Sequence, residues 1–161
     1  MTTLTKKSVS VSKKVNQTLV DSLIREYKQT RWVPNSDRIS KPDSLSAWYS
    51  IEDMENFLAE AKAHGGDGIK FYYAAYPEDF SAQPEYAGRQ TLVTVATKSK
   101  ITASGESANK DIYAIKNGKS EILSGLLPIT CPPKCFSNPE GGMGDLGITI
   151  VDRGDAGLEI V

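Results

Sequence analysis

Between residues 50 and 77 the spacing of apolar residues changes from helical to strand-like, and this change constrains the fold more than any other feature of the chain. In "SIEDMENFLAEAKAHGG" the residues Ile51, Met54, Leu58 and Ala61, with Phe57 beside them, fall on one stripe of a helix. Ser50 is placed to cap it. Asp53, three residues on, stands in for the glutamate of a capping box, and Glu52 and Asp53 suit the positive end of the helix dipole. Gly65 and Gly66 stop it, so the spacing predicts a helix from Ile51 to His64. Directly afterwards "GIKFYYAAY" alternates Ile69, Phe71, Tyr73 and Ala75 with Lys70, Tyr72, Ala74 and Tyr76 until Pro77, a strand with aromatic residues on both faces.

The remaining elements extend that pair. "RQTLVTVATKSKIT" carries Leu92, Val93 and Val95 on opposing faces, which predicts a strand in a central position. Asn117-Gly118 separates two alternating runs, and both turn positions of a tight hairpin need positive φ, so strands are expected near 111–116 and 119–123. "LSAWYS" reads as a short strand and "ITIVD" as a last one. Upstream, Val15, Leu19, Leu23, Ile24 and Tyr27 define a first helix ending near Trp32 and Pro34, and "PNSDRISKPDS" reads as a loop. Prolines 128, 132, 133 and 139 and glycines 141, 142, 144 and 147 exclude long elements from most of the C-terminal part. The expectation is α+β: a flexible tail over 1–11, then a single domain over 12–161 with two main helices on one face of a largely antiparallel sheet of about five strands.

At 161 residues, 39% hydrophobic and 24% charged, the chain is suited to one globular core. Nineteen basic residues against twenty acidic leave a net charge of -1, which disfavours nucleic acid and anionic membranes as partners. No run approaches the roughly 20 apolar residues of a membrane helix, and the N-terminus lacks the apolar core of a secretory signal, so a cytoplasmic location is expected. There the two cysteines, Cys131 and Cys135, are expected as reduced thiols.

Motifs for chemistry are sparse. Gly142-Met-Gly144-Asp-Leu-Gly147 spells a dinucleotide fingerprint, but it follows a Pro-rich turn and precedes a strand-like run instead of opening a helix. Asp152, Asp155 and Glu159 lack the alternate spacing of a calcium loop. The single histidine, His64, falls in the last turn of the second helix, where the dipole favours it structurally. In "CPPKC" the two prolines forbid a helical metal clip, and two thiols with one histidine fall short of a zinc set. A redox pair or a shared metal at Cys131 and Cys135 is the alternative to plain thiols, with Lys134 placed to acidify a neighbouring sulfur. No cofactor is expected.

The richest region is Tyr72, Tyr76, Glu78, Asp79, Tyr86 and Arg89, which gathers hydroxyls, carboxylates and a guanidinium around a strand end and the loop after it. Tyr and Arg dominate interface hot spots, so a binding module is expected there, taking a protein or small-molecule partner. With "AWYSIEDMENFLAEAK", "GDGIKFYYAAYPE", "GRQTLVTVATK" and "CPPKC", the chain resembles, over residues 45 to 135, a family of small uncharacterised bacterial proteins. That resemblance implies a bacterial cytoplasmic protein. It gives weight to Tyr76-Pro77 and the Cys-Pro-Pro-Lys-Cys segment as markers of fold or site, and it supplies no catalytic residues.

Overall fold

The computed structural model describes residues 12–123, 125–134, 150–152 and 158–160. The expected tail, Cys135, Asp155 and the 142–147 glycine motif lie outside them.

Helix α1, Gln17–Tyr27, starts where Asn16 Oδ1 accepts the Leu19 N–H at 2.9 Å. It does not end at Trp32 or Pro34 as expected. A π-helical turn, Lys28–Trp32, carries the chain into α2, Val33–Ile39, with the Val33 N–H reaching back five residues to the Lys28 carbonyl. Pro34 then falls in the first turn of α2, where a missing N–H costs least. The Thr30 carbonyl, four residues before Pro34, accepts from Arg31 Nη1 at 3.0 Å instead. The expected loop from Pro34 is thus helical as far as Ile39, and Ser40 at φ 56° turns the chain out. Trp32 is buried and its indole N–H donates to the Asp43 carbonyl at 2.8 Å, tying this helical arm to the turn before strand β1, Ser46–Trp48.

Helix α3, Ile51–Ala63, has the expected cap: Ser50 Oγ accepts the Asp53 N–H at 3.0 Å and donates to the Asp53 carboxylate at 2.6 Å. At the other end Gly65 adopts φ 76°, its N–H bonded to Lys62, and the Gly66 N–H closes on the Ala61 carbonyl at 2.8 Å. The buried stripe differs from the expected one. Phe57 and Ala61 are buried, whereas Leu58 is part-exposed and Ile51 is 78% exposed. The helix is rotated so that Phe57 and Ala61 meet Ala96 and Leu123, with Ile69, Ile112 and Leu126 packed around them.

The strands are antiparallel throughout, as expected, but they do not form one sheet of about five. Strand β2, Gly68–Ala75, pairs with β3, Gln90–Ile101, with Phe71 opposite Thr94, and β3 pairs through Thr97–Ile101 with β4, Ser107–Asp111. Strand β3 is central, as its two apolar faces predict. After Ile112 the chain leaves as the hairpin of β5, Tyr113–Lys116, and β6, Lys119–Ile122, with Asn117 at φ 51° and Gly118 at φ 75°. It returns at Leu123, whose N–H bonds the Ile112 carbonyl at 2.7 Å, and resumes the vacated edge of β3: Ala96 N–H donates to Leu123 and Gly125 N–H to Thr94. Strand β7, Ile129–Cys131, then pairs with β1, Ser46 opposite Cys131. A further pair joins β8, Ile150–Asp152, to β9, Leu158–Ile160. Among the described residues four small sheets replace one, because β4 covers only the far half of β3 and the hairpin turns aside.

Candidate functional site

The expected binding cluster is divided by the fold into three places. Tyr72 lies mid-strand, where its hydroxyl donates to Asp111 at 2.5 Å and Lys70 Nζ meets the same carboxylate at 2.6 Å. Lys70 also stands 5.2 Å from the centre of the Tyr72 ring. The hydrogen bond to Asp111 raises the Lys70 pKa, and the bond from Lys70 lowers that of Asp111. This trio ties β2 to β4 across β3.

Tyr76, Tyr86 and Arg89 do converge, but as packing inside the loop between β2 and β3. The Tyr76 ring centre is 5.3 Å from that of Tyr86 and 4.9 Å from that of Phe80. Tyr86 and Arg89 are only 7% and 8% exposed. Arg89 Nε donates to the Glu85 carbonyl at 2.7 Å, its Nη1 is buried without a partner, and burial pushes its pKa down. Glu78 stays outside, exposed and paired with Arg38 of α2 at 2.5 Å. None of these residues presents an open anchor alongside Tyr72.

Asp43 is the buried hub that the sequence did not single out. It is fully buried, and its carboxylate accepts the backbone N–H groups of Ser44 at 2.7 Å and Gln90 at 2.6 Å, together with the Asn35 side-chain amide. Its own N–H donates to Ser36 Oγ at 2.9 Å. These bonds fix the start of β3 against the helical arm, and in doing so they position Gln90.

Gln90 lies in a groove of about 300 Å³. Leu23, Ile24 and Tyr27 of α1 form one wall, the segment Ser44–Ala47 another, and Tyr73 and Leu92 of β2 and β3 contribute apolar surface. Across it the Tyr27 hydroxyl donates to Gln90 Oε1 at 2.6 Å. Burial, and then the nearby Asp43 carboxylate, push the Tyr27 pKa up, so it keeps its proton at neutral pH. Thr91 and Thr130 also line the groove, are at most 5% exposed, and have hydroxyls buried without a hydrogen-bond partner. Among the described residues no Lys, Arg, His, Asp or Glu lines it. A small apolar concavity with a few polar groups is the usual form of a ligand site, and this one is at the small end of the typical range of about 300–1,000 Å³.

Cys131 closes strand β7, one residue after Thr130 of the groove lining. It is disulfide-bonded, not the reduced thiol expected, and the chain has one other cysteine, Cys135. The turn it opens is held to β1 by Leu45 N–H to the Cys131 carbonyl at 2.8 Å and Ser44 Oγ to the Pro132 carbonyl at 2.9 Å. Lys134 points elsewhere, to Glu85 at 3.6 Å. His64 is exposed with Nδ1 at 3.0 Å from the Glu60 carbonyl, consistent with a helix-end role. Among the described residues no three of His, Cys, Asp and Glu gather as a metal set, and no helix is long and apolar enough to cross a membrane. No family model matches the chain, and neither the curated proteins nor the solved structures contain a match to it.

Sequence reasoning missed Gln90, Thr130 and Asp43 as residues of interest, and it noted Tyr27 only as part of a helical stripe. Nothing local marks them. They come from four segments that only the antiparallel pairings bring together.

Proposed function

We propose that this chain is a non-catalytic binding module, as the Tyr and Arg content suggested, with its ligand in the groove between α1, β1 and the β2–β3 pair. The observation that carries this reading is the concavity of about 300 Å³ between the helix and the strands, lined mainly by apolar side chains and holding the Gln90 amide, whose oxygen is fixed by the Tyr27 hydroxyl. A few fixed polar groups in an apolar concavity are what orient a small ligand. The Tyr72–Arg89 region then serves the fold, with Tyr76, Tyr86 and Arg89 stiffening the loop that leads into Gln90.

The test is ligand-detected NMR with butylbenzene as the probe, on the wild-type chain and on Tyr73→Ala and Leu23→Asp. Both side chains line the groove and are well exposed, at 86% and 58%, so neither substitution should move the melting temperature by more than about a degree. Loss of the signal in both variants supports the site. Wild-type binding in both removes it.

A second reading, a dithiol–disulfide cycle at Cys131 and Cys135, draws support from the disulfide itself, which also favours an oxidising compartment over the cytoplasm. Equilibration in glutathione buffers followed by thiol counting tests it. A pair that stays oxidised in the most reducing buffer is a structural disulfide, and the cycle is then refuted.

A further inference from the structure

We infer that the groove selects an uncharged ligand: a compact, mainly apolar molecule carrying one carbonyl, amide or hydroxyl group. This rests on the binding-module reading above. The polar side chains of the lining are all neutral, the amide of Gln90 and the hydroxyl residues Tyr27, Tyr73, Ser44, Ser46, Thr91 and Thr130, with no Lys, Arg, His, Asp or Glu among the described residues there. An ionised headgroup entering this groove would lose water and gain no counter-charge, which is far costlier than burying a neutral polar group that finds a partner.

The charges beyond the lining do not change that outcome for an anion. The Asp43 carboxylate lies near enough to raise the Tyr27 pKa, so a carboxylate or phosphate seated at that hydroxyl would meet a like charge. A cation gains little, because the Asp43 carboxylate already accepts three N–H donors and sits beside the buried Arg89 guanidinium. The neutral groups have a definite use. Tyr27 occupies Gln90 Oε1, which leaves the Gln90 amide N–H₂ free to donate. An N–H₂ donor in an apolar groove suits a neutral acceptor such as a carbonyl oxygen. The apolar body lies against Leu23, Leu45 and Leu92.

A matched set of probes on the full chain at pH 7 separates the possibilities: 4-phenylbutanamide, 4-phenylbutan-1-ol, 4-phenylbutanoate, 4-phenylbutylammonium and butylbenzene. Dissociation constants come from ¹H–¹⁵N NMR titration, followed at the backbone amides of Tyr73 and Leu92. The amide and the alcohol are expected to bind at least about tenfold more tightly than either ion, a factor equivalent to about 1.4 kcal/mol. Gln90→Leu should bring the amide down to the affinity of butylbenzene. If that substitution unfolds the chain, the ranking of the five probes on the wild-type protein decides alone. Butylbenzene binding with an ion within threefold of the amide refutes the neutral-ligand inference and leaves the groove standing. If no probe, butylbenzene included, shifts those amides, the groove reading itself falls.

Discussion

Replacing Gly125 with alanine adds one methyl group, and the packing leaves no room for it. A Cβ on Gly125 would stand 2.6 Å from Cγ of Phe57 and nearer still to Cδ2 and Cε2 of the same ring. Neither side can readily give way. Phe57 is 3% exposed and held among Ala61, Ala96 and Leu123, while the backbone at Gly125 is tied to β3 by its own N–H at 3.1 Å and by the Thr94 hydroxyl to Leu126 at 2.9 Å. Overpacking of this kind costs about 1–3 kcal/mol, and the upper half of that range applies because the obstruction is the root of a buried ring, not the tip of a flexible chain. For a chain of this size each kcal/mol lowers the melting temperature by about 2–4 °C, so Gly125→Ala should lose about 4–12 °C by circular dichroism. A double-mutant cycle isolates the contact: in a Phe57→Leu background the same alanine should cost at least about 1 kcal/mol less. Unchanged stability in Gly125→Ala, or a cost that persists undiminished in the Phe57→Leu background, would refute the close approach of this segment to α3.

Other expectations follow from the same packing. Asp43→Ala removes the acceptor for three N–H groups and should cost about 3–5 kcal/mol in urea unfolding, with Asp43→Asn recovering only part of it. Tyr86→Ala should cost about 3–5 kcal/mol, because the ring is buried against Tyr76; a loss under about 1 kcal/mol would return Tyr86 to the role of a surface anchor. Asp111 has its pKa lowered by Lys70, so its stabilising contribution is full above the ordinary carboxylate pKa and is lost as pH falls through the lowered folded value. The stability of Asp111→Asn, measured against wild type, should therefore converge with it at acid pH, and a constant gap down to about pH 2 would count against the linkage. Thiol titration of the unfolded, unreduced chain should find no free thiol, and reduction should release both.

The parts of the fold legible in the sequence were those fixed by neighbours in the chain. Ser50 with Asp53, Gly65 at the end of α3, and Asn117-Gly118 each act over a few residues, and each element they bound lies where its spacing put it. Pro34 misled because a proline that stops a helix and one that sits in a helix's first turn look alike until the π-helical slip before it is known. The division into small sheets was not legible, because β1 and β7 are short, far apart in sequence and carry no turn signal linking them. The site was less legible than the fold. Tyr and Arg at 72–89 advertised chemistry but Tyr86 and Arg89 went inward, while the groove proposed as the site is lined by Gln90, Thr91 and Thr130, which no sequence motif marks.

Helix α1 has no buried residue, yet it supplies one wall of the groove. The Tyr27 hydroxyl bonds it to Gln90 of the sheet, Leu23 and Ile24 are exposed, and the chain just beyond it is anchored by buried Trp32. An element with no buried residue is expected to open at a lower free energy than the β3 ladder. Under the proposed binding role, ligand exchange would follow the opening of this one helix, so that residence time and fold stability could be tuned separately.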